Sequence, residues 1–467
     1  PLATALLISI VVIPVMVRLA PRLGMIDQPG QRKVHAVPIP RVGGVGIVIG
    51  ALVPVVLLLP VDQSLLAFVI GALVLFSFGV LDDCKELGHY VKFVGQFIAV
   101  LAVVYFGDVY VTWLPFMGGE PVSELIGRPF TVIAMVGMIN AINHSDGLDG
   151  LAGGESLLSL ACISWLAWLA GGDAVLIIAL ATIGGVFGFM RFNTHPARIF
   201  MGDGGSQFLG FALGYLVVVL TQDVNPALSP ALPALVLGLP IADIIAVFAQ
   251  RIYKKMNWFR ASRNHIHHRL LDLGFYHYES VVLVYSVQAL LVLCAVLMPY
   301  EADALVVGVY LVVVATVFVL LYVAERTGWA MRKKVSPSDA GYAIVSSQYR
   351  VWLVEMPYSI VYYGMVLFLL AGVFLVTDIP LDFAIIANVL FILLIVWLLL
   401  GYRAGFLPLR LLVYVTIVFI VYLLQTYQPA YLSGADPVTY GFFGAMVIGI
   451  AVTIRFSREG GFSVTPM

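Results

Sequence analysis

The chain has 467 residues, 61% of them hydrophobic and 11% charged, with a formal net charge of −1. An ordinary soluble domain is about a quarter charged, so a water-exposed globule is excluded, and a near-neutral chain lacks the field of a nucleic-acid binder. Three scattered cysteines, Cys84, Cys162 and Cys294, exclude both a disulfide framework and a cysteine metal knuckle.

Runs of about 20 uncharged residues recur from end to end, which makes the fold class all-α, polytopic and integral to the membrane. Apolar spans are predicted near 1–20, 43–60, 65–81, 93–106, 129–143, 153–171, 174–190, 205–221, 230–249, 281–300, 304–323, 359–377, 383–401, 411–427 and 439–454. That is about 15 transmembrane helices, several shorter than a full crossing, which predicts helices that break or end inside the protein. Every Lys and Arg except Arg128 falls in alternate connections. The positive-inside rule makes those connections cytoplasmic, with the N-terminus outside and the C-terminus inside. The outer stretch 107–128, with Tyr110, Thr112, Trp113 and Gly118-Gly119, predicts a small hairpin. Residues 1–323, about 11 helices, hold the polar clusters. Residues 324–467, about four helices, carry no legible chemistry and are read as packing on the core, a homodimer interface or a partner contact.

The clusters fall on the inner side, in chain order. Asp27 to His35, with Arg32, Lys33 and Arg41-Val-Gly43-Gly44, offers cations for a lipid or nucleotide phosphate, or for anionic headgroups alone. Asp82-Asp83 ends the third span; adjacent carboxylates repel unless a cation lies between them, although a solvated helix end would look the same. Asn140, Asn143, Asp146 and Asp149 recur every third residue. The two asparagines share a helix face, and the Asp-Gly pairs break the helix and can turn their acids back toward that face. Acids at membrane depth without basic neighbours are functional candidates, and several convergent oxygens suit a hard cation. Met201-Gly202-Asp203-Gly204-Gly205-Ser206 opens the eighth span, where glycines and a helix N-terminus favour a phosphate; Asp203 or Ser206 could instead simply cap the helix. In the longest basic loop, His265, His267, His268 and Arg269 suit a pyrophosphate, and no Cys or further His stands at zinc-site spacing from them. Together this is the inventory for Mg²⁺-assisted phosphoryl transfer between a lipid and a soluble polyanion such as a nucleotide.

The ordered motifs resemble those of the polyprenyl-phosphate N-acetylhexosamine-1-phosphate transferases. They are Asp27-x-Pro29, Arg32-Lys33-x-His35, Gly43-Gly44, Asp82-Asp83 with Lys92 and Gln96, and Asn140-x-x-Asn143-x-x-Asp146-Gly147-x-Asp149-Gly150. Pro196-Ala197-x-x-Phe200-Met201-Gly202-Asp203-x-Gly205-Ser206, Pro240-Ile241-x-Asp243 and His265-Ile266-His267-His268-Arg269-Leu270 complete the set. The resemblance covers residues 20 to 275 and implies transfer of HexNAc-1-phosphate from a UDP-sugar to undecaprenyl phosphate at a bacterial inner membrane, with release of UMP. It implies Mg²⁺, with Mn²⁺ as a substitute, held by Asp203 with Asn143 beside it. Asp82 or Asp83 would deprotonate or position the lipid phosphate, and Asp146 and Asp149 would line the nucleotide and metal pocket. Lys33, His35, Asn140 and Gly204 would contact substrate phosphates, and His265, His267, His268 and Arg269 the pyrophosphate or amino sugar. Direct attack by the lipid phosphate and a covalent aspartyl route both remain open on this reading.

Ile266 interrupts the three consecutive histidines usual in the branch that uses UDP-MurNAc-pentapeptide, which points to the UDP-GlcNAc branch serving O-antigen, common antigen or teichoic acid. His144 stands where that family is often apolar, and residues 324–467 exceed its usual core. A secondary transporter would place acids at midmembrane and show inverted repeats; neither is present. Asp149-Gly150-Leu151-Ala152-Gly153 lacks the arginine of a CDP-alcohol phosphatidyltransferase motif.

Overall fold

The computed structural model describes residues 1–28, 38–85, 87–255, 264–332, 356–375 and 381–400, with short pieces between 415 and 446. The chain divides into two units, Pro1–Val335 and Ser336–Met467.

In the first unit α1 (Leu2–Leu23) leads through a two-stranded antiparallel ribbon, β1 (Ile26–Asp27) and β2 (Ile39–Pro40), into α2 (Gly43–Leu58). Then come α3 (Gln63–Lys85), α4 (His89–Leu101) running on into a π-turn, α5 (Glu124–Ser145), α6 (Leu151–Ala170), α7 (Asp173–Asn193) and α8 (Asp203–Val219), which also ends in a π-turn. The short α9 (Pro233–Val236) and α10 (Gly238–Tyr253) follow, then α11 (Ile266–Asp272), α12 (His277–Leu297) and α13 (Asp303–Thr327). Among the described residues, nine helices are long and apolar enough to cross a membrane. The second unit contributes two 20-residue apolar helices, Met356–Leu375 and Leu381–Leu400. The spans predicted at 411–427 and 439–454 lie largely outside the described residues.

The predicted spans and the helices coincide closely, because uninterrupted apolar runs must satisfy their backbone internally wherever lipid surrounds them. The expected breaks are present. The span read at 230–249 is two helices meeting at Leu237, and α2 has only 16 residues.

α8 is the axis of the bundle. All of its residues from Gly204 to Val218 are buried, and α2, α3, α5, α6 and α7 pack around it. A helix that is apolar all round belongs in the interior, whereas α1 and α13 turn Leu7, Val11, Val15, Leu311, Val312 and Leu320 outward, as lipid-facing helices do. The segment 107–128 folds back through Val122 N–H to Thr112 O at 2.8 Å. It forms no strand ladder, because Gln222 Oε1 takes the N–H groups of Thr112 and Trp113 at 2.9 and 2.8 Å.

The boundary expected at 323 lies short of where the first unit ends. After α13 the chain returns to the head of α12. There Arg332 grips Glu279 with two bonds of 2.6 and 2.8 Å, and Met331 N–H meets Leu273 O at 2.9 Å.

Glycines let α2 and α3 touch the head of α8. A Cβ on Gly44 would strike the backbone of Gly205, and one on Gly79 the backbone of Gly204. Gly79→Ala should therefore lower the thermal midpoint by several degrees, since overpacking costs ~1–3 kcal/mol. Gly137→Ala, on an open face of α5, should leave it unchanged; equal midpoints for the two variants would contradict the close approach.

Candidate active site

The site begins with the segment that enters α8. Phe200 N–H bonds Pro40 O at 2.8 Å, and the amides of Gly43 and Gly44 bond Phe200 O and Met201 O at 2.9 and 2.7 Å. This lashes the loop 194–202 to the start of α2. Gly202 then turns at φ +74°, a conformation that favours glycine, and a Cβ there would run into the Asp83 carboxylate. Asp203 is the first residue of α8.

The helix N-terminus read from sequence as a phosphate cradle is taken by the protein itself. Asp83 accepts the backbone N–H groups of Asp203 and Gly204 at 3.0 and 3.2 Å. Gly204 thus packs against Gly79 and caps onto Asp83, and its amide is not presented to a ligand. Neither Asp203 nor Ser206 supplies the cap: the Ser206 hydroxyl bonds Gly202 O, one turn back.

Two carboxylates share one ammonium. Lys92 Nζ lies 2.7 Å from Asp82 Oδ2 and 2.6 Å from Asp203 Oδ2. Asn143 reaches Asp203 Oδ1 at 3.2 Å and Ser206 Oγ at 2.8 Å, and Gln207 reaches Asp203 Oδ2 at 3.2 Å. Asn140 does share the face with Asn143, but it bonds Gln96, which in turn meets Gln207. Asp82 Oδ1 is buried with no hydrogen-bond partner. Two acids opposed by one ammonium, with an orphaned carboxylate oxygen among them, form a donor set suited to a hard divalent cation. Asp203, Asp82 and Asn143 could hold one.

The two Asp-Gly acids diverge. Asp146 stays on the side of Asp203; burial first, then the charges of Asp203 and Asp149, push its carboxyl up to about 7. Asp149 turns away, which departs from the expectation that both acids fold back to one face. It accepts the Ala197 N–H at 3.0 Å and faces His195 Nδ1 at 2.6 Å. Burial alone would raise its pKa, but the His195 and Ala197 hydrogen bonds and the nearby His277 hold it below the ordinary carboxylate value.

The histidine loop forms a wall next to these acids. Asp243 of α10 takes the Ile266 N–H at 2.9 Å and meets His265 Nδ1 at 2.7 Å. His144 stacks on His265 at 5.2 Å, and His267 packs on His268 at 4.2 Å. Gly147 lies against the His267 ring, so close that a Cβ there would strike it. Burial, with His268 and His265 beside it, pushes the His267 imidazole down to about 2, so it is neutral at physiological pH. Arg269 does not face the acids. Its guanidinium is held by both oxygens of Glu325, at 2.7 and 3.0 Å. Lys33 and His35 lie outside the described residues.

Sequence reasoning quoted Lys92 and Asp243 but gave them no role, and it missed His195, His277 and Glu155. Glu155 is buried in α6, lines a small cavity with Ser145, Asp243 and His267, and leaves Oε2 unbonded. An acid in an apolar span was its signal.

The chain is similar to known proteins. Residues 65–221 match the model of glycosyl transferase family 4. A Bacillus subtilis (strain 168) protein named "Probable undecaprenyl-phosphate N-acetylglucosaminyl 1-phosphate transferase" is 32% identical over 333 residues, 70% of this chain and 92% of that protein. A Mycobacterium leprae decaprenyl-phosphate N-acetylglucosaminephosphotransferase is 31% identical over 299 residues, 57% of this chain and 75% of its own. An Escherichia coli O157:H7 undecaprenyl-phosphate alpha-N-acetylglucosaminyl 1-phosphate transferase is 29% identical over 290 residues, 61% and 79% of the two chains. The protein is a membrane-embedded glycosyl-1-phosphate transferase. More narrowly, the chain belongs to the polyprenyl-phosphate N-acetylhexosamine-1-phosphate transferase family.

Removing the shared ammonium tests the charge arrangement. Lys92→Met should lower the thermal midpoint in chelator by several degrees, because it leaves partly buried acids facing one another, and millimolar Mg²⁺ should recover more of the loss than in the unaltered protein. A midpoint insensitive to both changes would contradict it.

Proposed function

We propose that the protein transfers N-acetylhexosamine-1-phosphate, with GlcNAc-1-phosphate as the preferred group, from a UDP-sugar to undecaprenyl phosphate. The products are undecaprenyl-diphospho-sugar and UMP, and the reaction begins a cell-surface glycan at the bacterial inner membrane. The observation that carries this reading is the convergence of Asp82 and Asp203 on Lys92, with Asp83 capping the turn that presents Asp203, at the end of an apolar helical bundle. The relatives' names supply the substrate class, and Ile266 within the histidine run favours UDP-GlcNAc over UDP-MurNAc-pentapeptide. The basic connections favour a cytoplasmic site, with the N-terminus outside and about 15 spans in all.

Mg²⁺ would be held by Asp203 with Asp82 and Asn143, and when bound it supplies charge neutralisation for the diphosphate and the departing UMP. The chain's own groups divide the remaining work. Asp83 has both oxygens bonded to backbone amides, so its part is to fix the turn that presents Asp203. Asp82 has one oxygen on Lys92 and one unbonded, so as a ligand of the ion it would orient the acceptor phosphate. Lys92 beside it offers positive charge to that phosphate. An acceptor oxygen then bonds to the sugar-bearing phosphorus as the bridging P–O bond to UMP breaks, and UMP keeps the electron pair. Asp243 holds His265 through Nδ1, which leaves Nε2 as the ring nitrogen that would meet diphosphate or sugar oxygens.

The test is UMP release by the purified full-length protein with undecaprenyl phosphate, Mg²⁺ and either UDP-GlcNAc or UDP-MurNAc-pentapeptide. Release should require UDP-GlcNAc, the lipid and Mg²⁺. It should fall at least ~100-fold in Asp203→Ala, since losing a mere hydrogen-bonded neighbour of a metal ligand already costs ~10–100-fold. Turnover with the pentapeptide substrate alone would overturn the branch, and UMP exchange without lipid would replace direct attack by a covalent route. Asp243→Asn should keep the fold and lower turnover ~10–100-fold, while Asp243→Glu recovers part of it. Unchanged turnover in Asp243→Asn would remove His265 from the reaction.

A further inference from the structure

Beyond the acids around Lys92, side chains from three separate segments meet at one point. Asp149 lies in the turn between α5 and α6, His195 in the loop 194–202, and His277 at the first position of α12. The ligand atoms of the three lie within 4.8 Å of one another. Asp149 Oδ2 is 2.6 Å from His195 Nδ1 and 3.9 Å from His277 Nε2, and the two imidazole rings stack with centroids 4.2 Å apart. His277 Nε2 is buried and makes no hydrogen bond, so one ring nitrogen is aimed at the carboxylate without being engaged by it. The Ala197 amide holds Asp149 in place. The neighbouring backbone is fixed as well, because Asn193 takes the Gly150 N–H at 2.8 Å and the Tyr285 hydroxyl donates to Gly150 O at 2.5 Å.

We propose that Asp149, His195 and His277 form a second cation site, selective for Zn²⁺ or a similar borderline divalent ion over Mg²⁺. Two neutral imidazoles and one carboxylate are a zinc donor set, whereas Mg²⁺ prefers oxygen alone. His195 is half-exposed, which leaves a side open for water as a fourth ligand. To seat the ion through Nδ1, the neutral His195 ring carries its proton on Nε2, reached by exchange through solvent, and the His195–Asp149 contact widens to the ~3.3 Å that ligands adopt around a shared tetrahedral ion with bonds of about 2.0 Å. The ion would tie together the loop that leads into Gly202 and Asp203, the turn that follows Asn143, and the head of α12. The competing account is a plain Asp149–His195 hydrogen-bonded clamp that binds no metal.

The experiment uses the full-length protein in detergent, stripped by chelator and titrated with Zn²⁺ by calorimetry in millimolar Mg²⁺. The visible absorption of bound Co²⁺ reports ligand geometry in parallel. One Zn²⁺ per chain is expected, with a raised thermal midpoint and a tetrahedral Co²⁺ spectrum. His195→Gln should weaken binding at least ~10–100-fold and abolish the midpoint shift. Its exposure makes it tolerable to the fold, which the metal-free midpoint checks. Asp203→Asn and His268→Gln should bind Zn²⁺ as the unaltered protein does. Absence of Zn²⁺ binding, equal affinity in a folded His195→Gln, or loss of binding in Asp203→Asn or His268→Gln would each overturn the proposal.

Discussion

The polar end of this protein depends on backbone meeting backbone. Gly44 of α2 and Gly79 of α3 come so close to Gly204 and Gly205 that no side chain fits between them. Two helices therefore converge on the first turn of α8 without the usual layer of side chains at a helix contact, which ordinarily spaces axes about 8–10 Å apart. That proximity lets Asp83, near the last turn of α3, reach the amides of α8, and lets Lys92 of α4 reach Asp203. Each side-chain contact in the acid cluster follows from the glycine contact and would be lost if the helices stood apart.

The cluster is also electrostatically unbalanced. Helix dipole and capping are satisfied internally, because the Asp83 carboxylate occupies the position an anion would otherwise take. What is left is the Asp82 and Asp203 pair, held by a single ammonium and amide donors, in surroundings that screen charge poorly. The arrangement answers to cations more than to anions. The histidine wall beside it is built differently: His265 is fixed by Asp243 and His267 is kept neutral by burial, so its rings offer directional hydrogen bonds with little standing charge.

Much of this was legible in the sequence wherever function lies in short runs. Apolar length located the long helices from α1 to α13, although α9 and α10 read as one span and α11 as loop, and Asp82-Asp83, Asn140 to Asp149, Met201 to Ser206 and His265 to Arg269 each announced themselves by local density. The connections between runs were not legible. Lys92 lies 111 residues from Asp203, and Asp149, His195 and His277 come from three separate segments, so no spacing rule relates them. Arg269 read as a phosphate ligand because a loop arginine looks free until Glu325 of α13 is folded beside it. Gly204 read as a phosphate cradle because the sequence does not reveal that Asp83 arrives there first. The opposed directions of Asp146 and Asp149 depend on the loop 194–197, which only the fold supplies.

α8 is anchored at its far end as well. Beyond Val219 the π-turn carries Gln222, whose carbonyl oxygen collects the amides of Thr112 and Trp113 from the outer segment. The central helix is thus a rod seated at both ends, and its length measures how deep Asp203 sits. One residue more or less between Asp203 and Gln222 would turn the carboxylate by about 100° and shift it about 1.5 Å along the axis, while Lys92 and Asp82, carried by other helices, stayed behind. The position of the acid cluster along the bundle is therefore gauged from the bundle's opposite end, and the segment 107–128, with no chemistry of its own, helps to align the site.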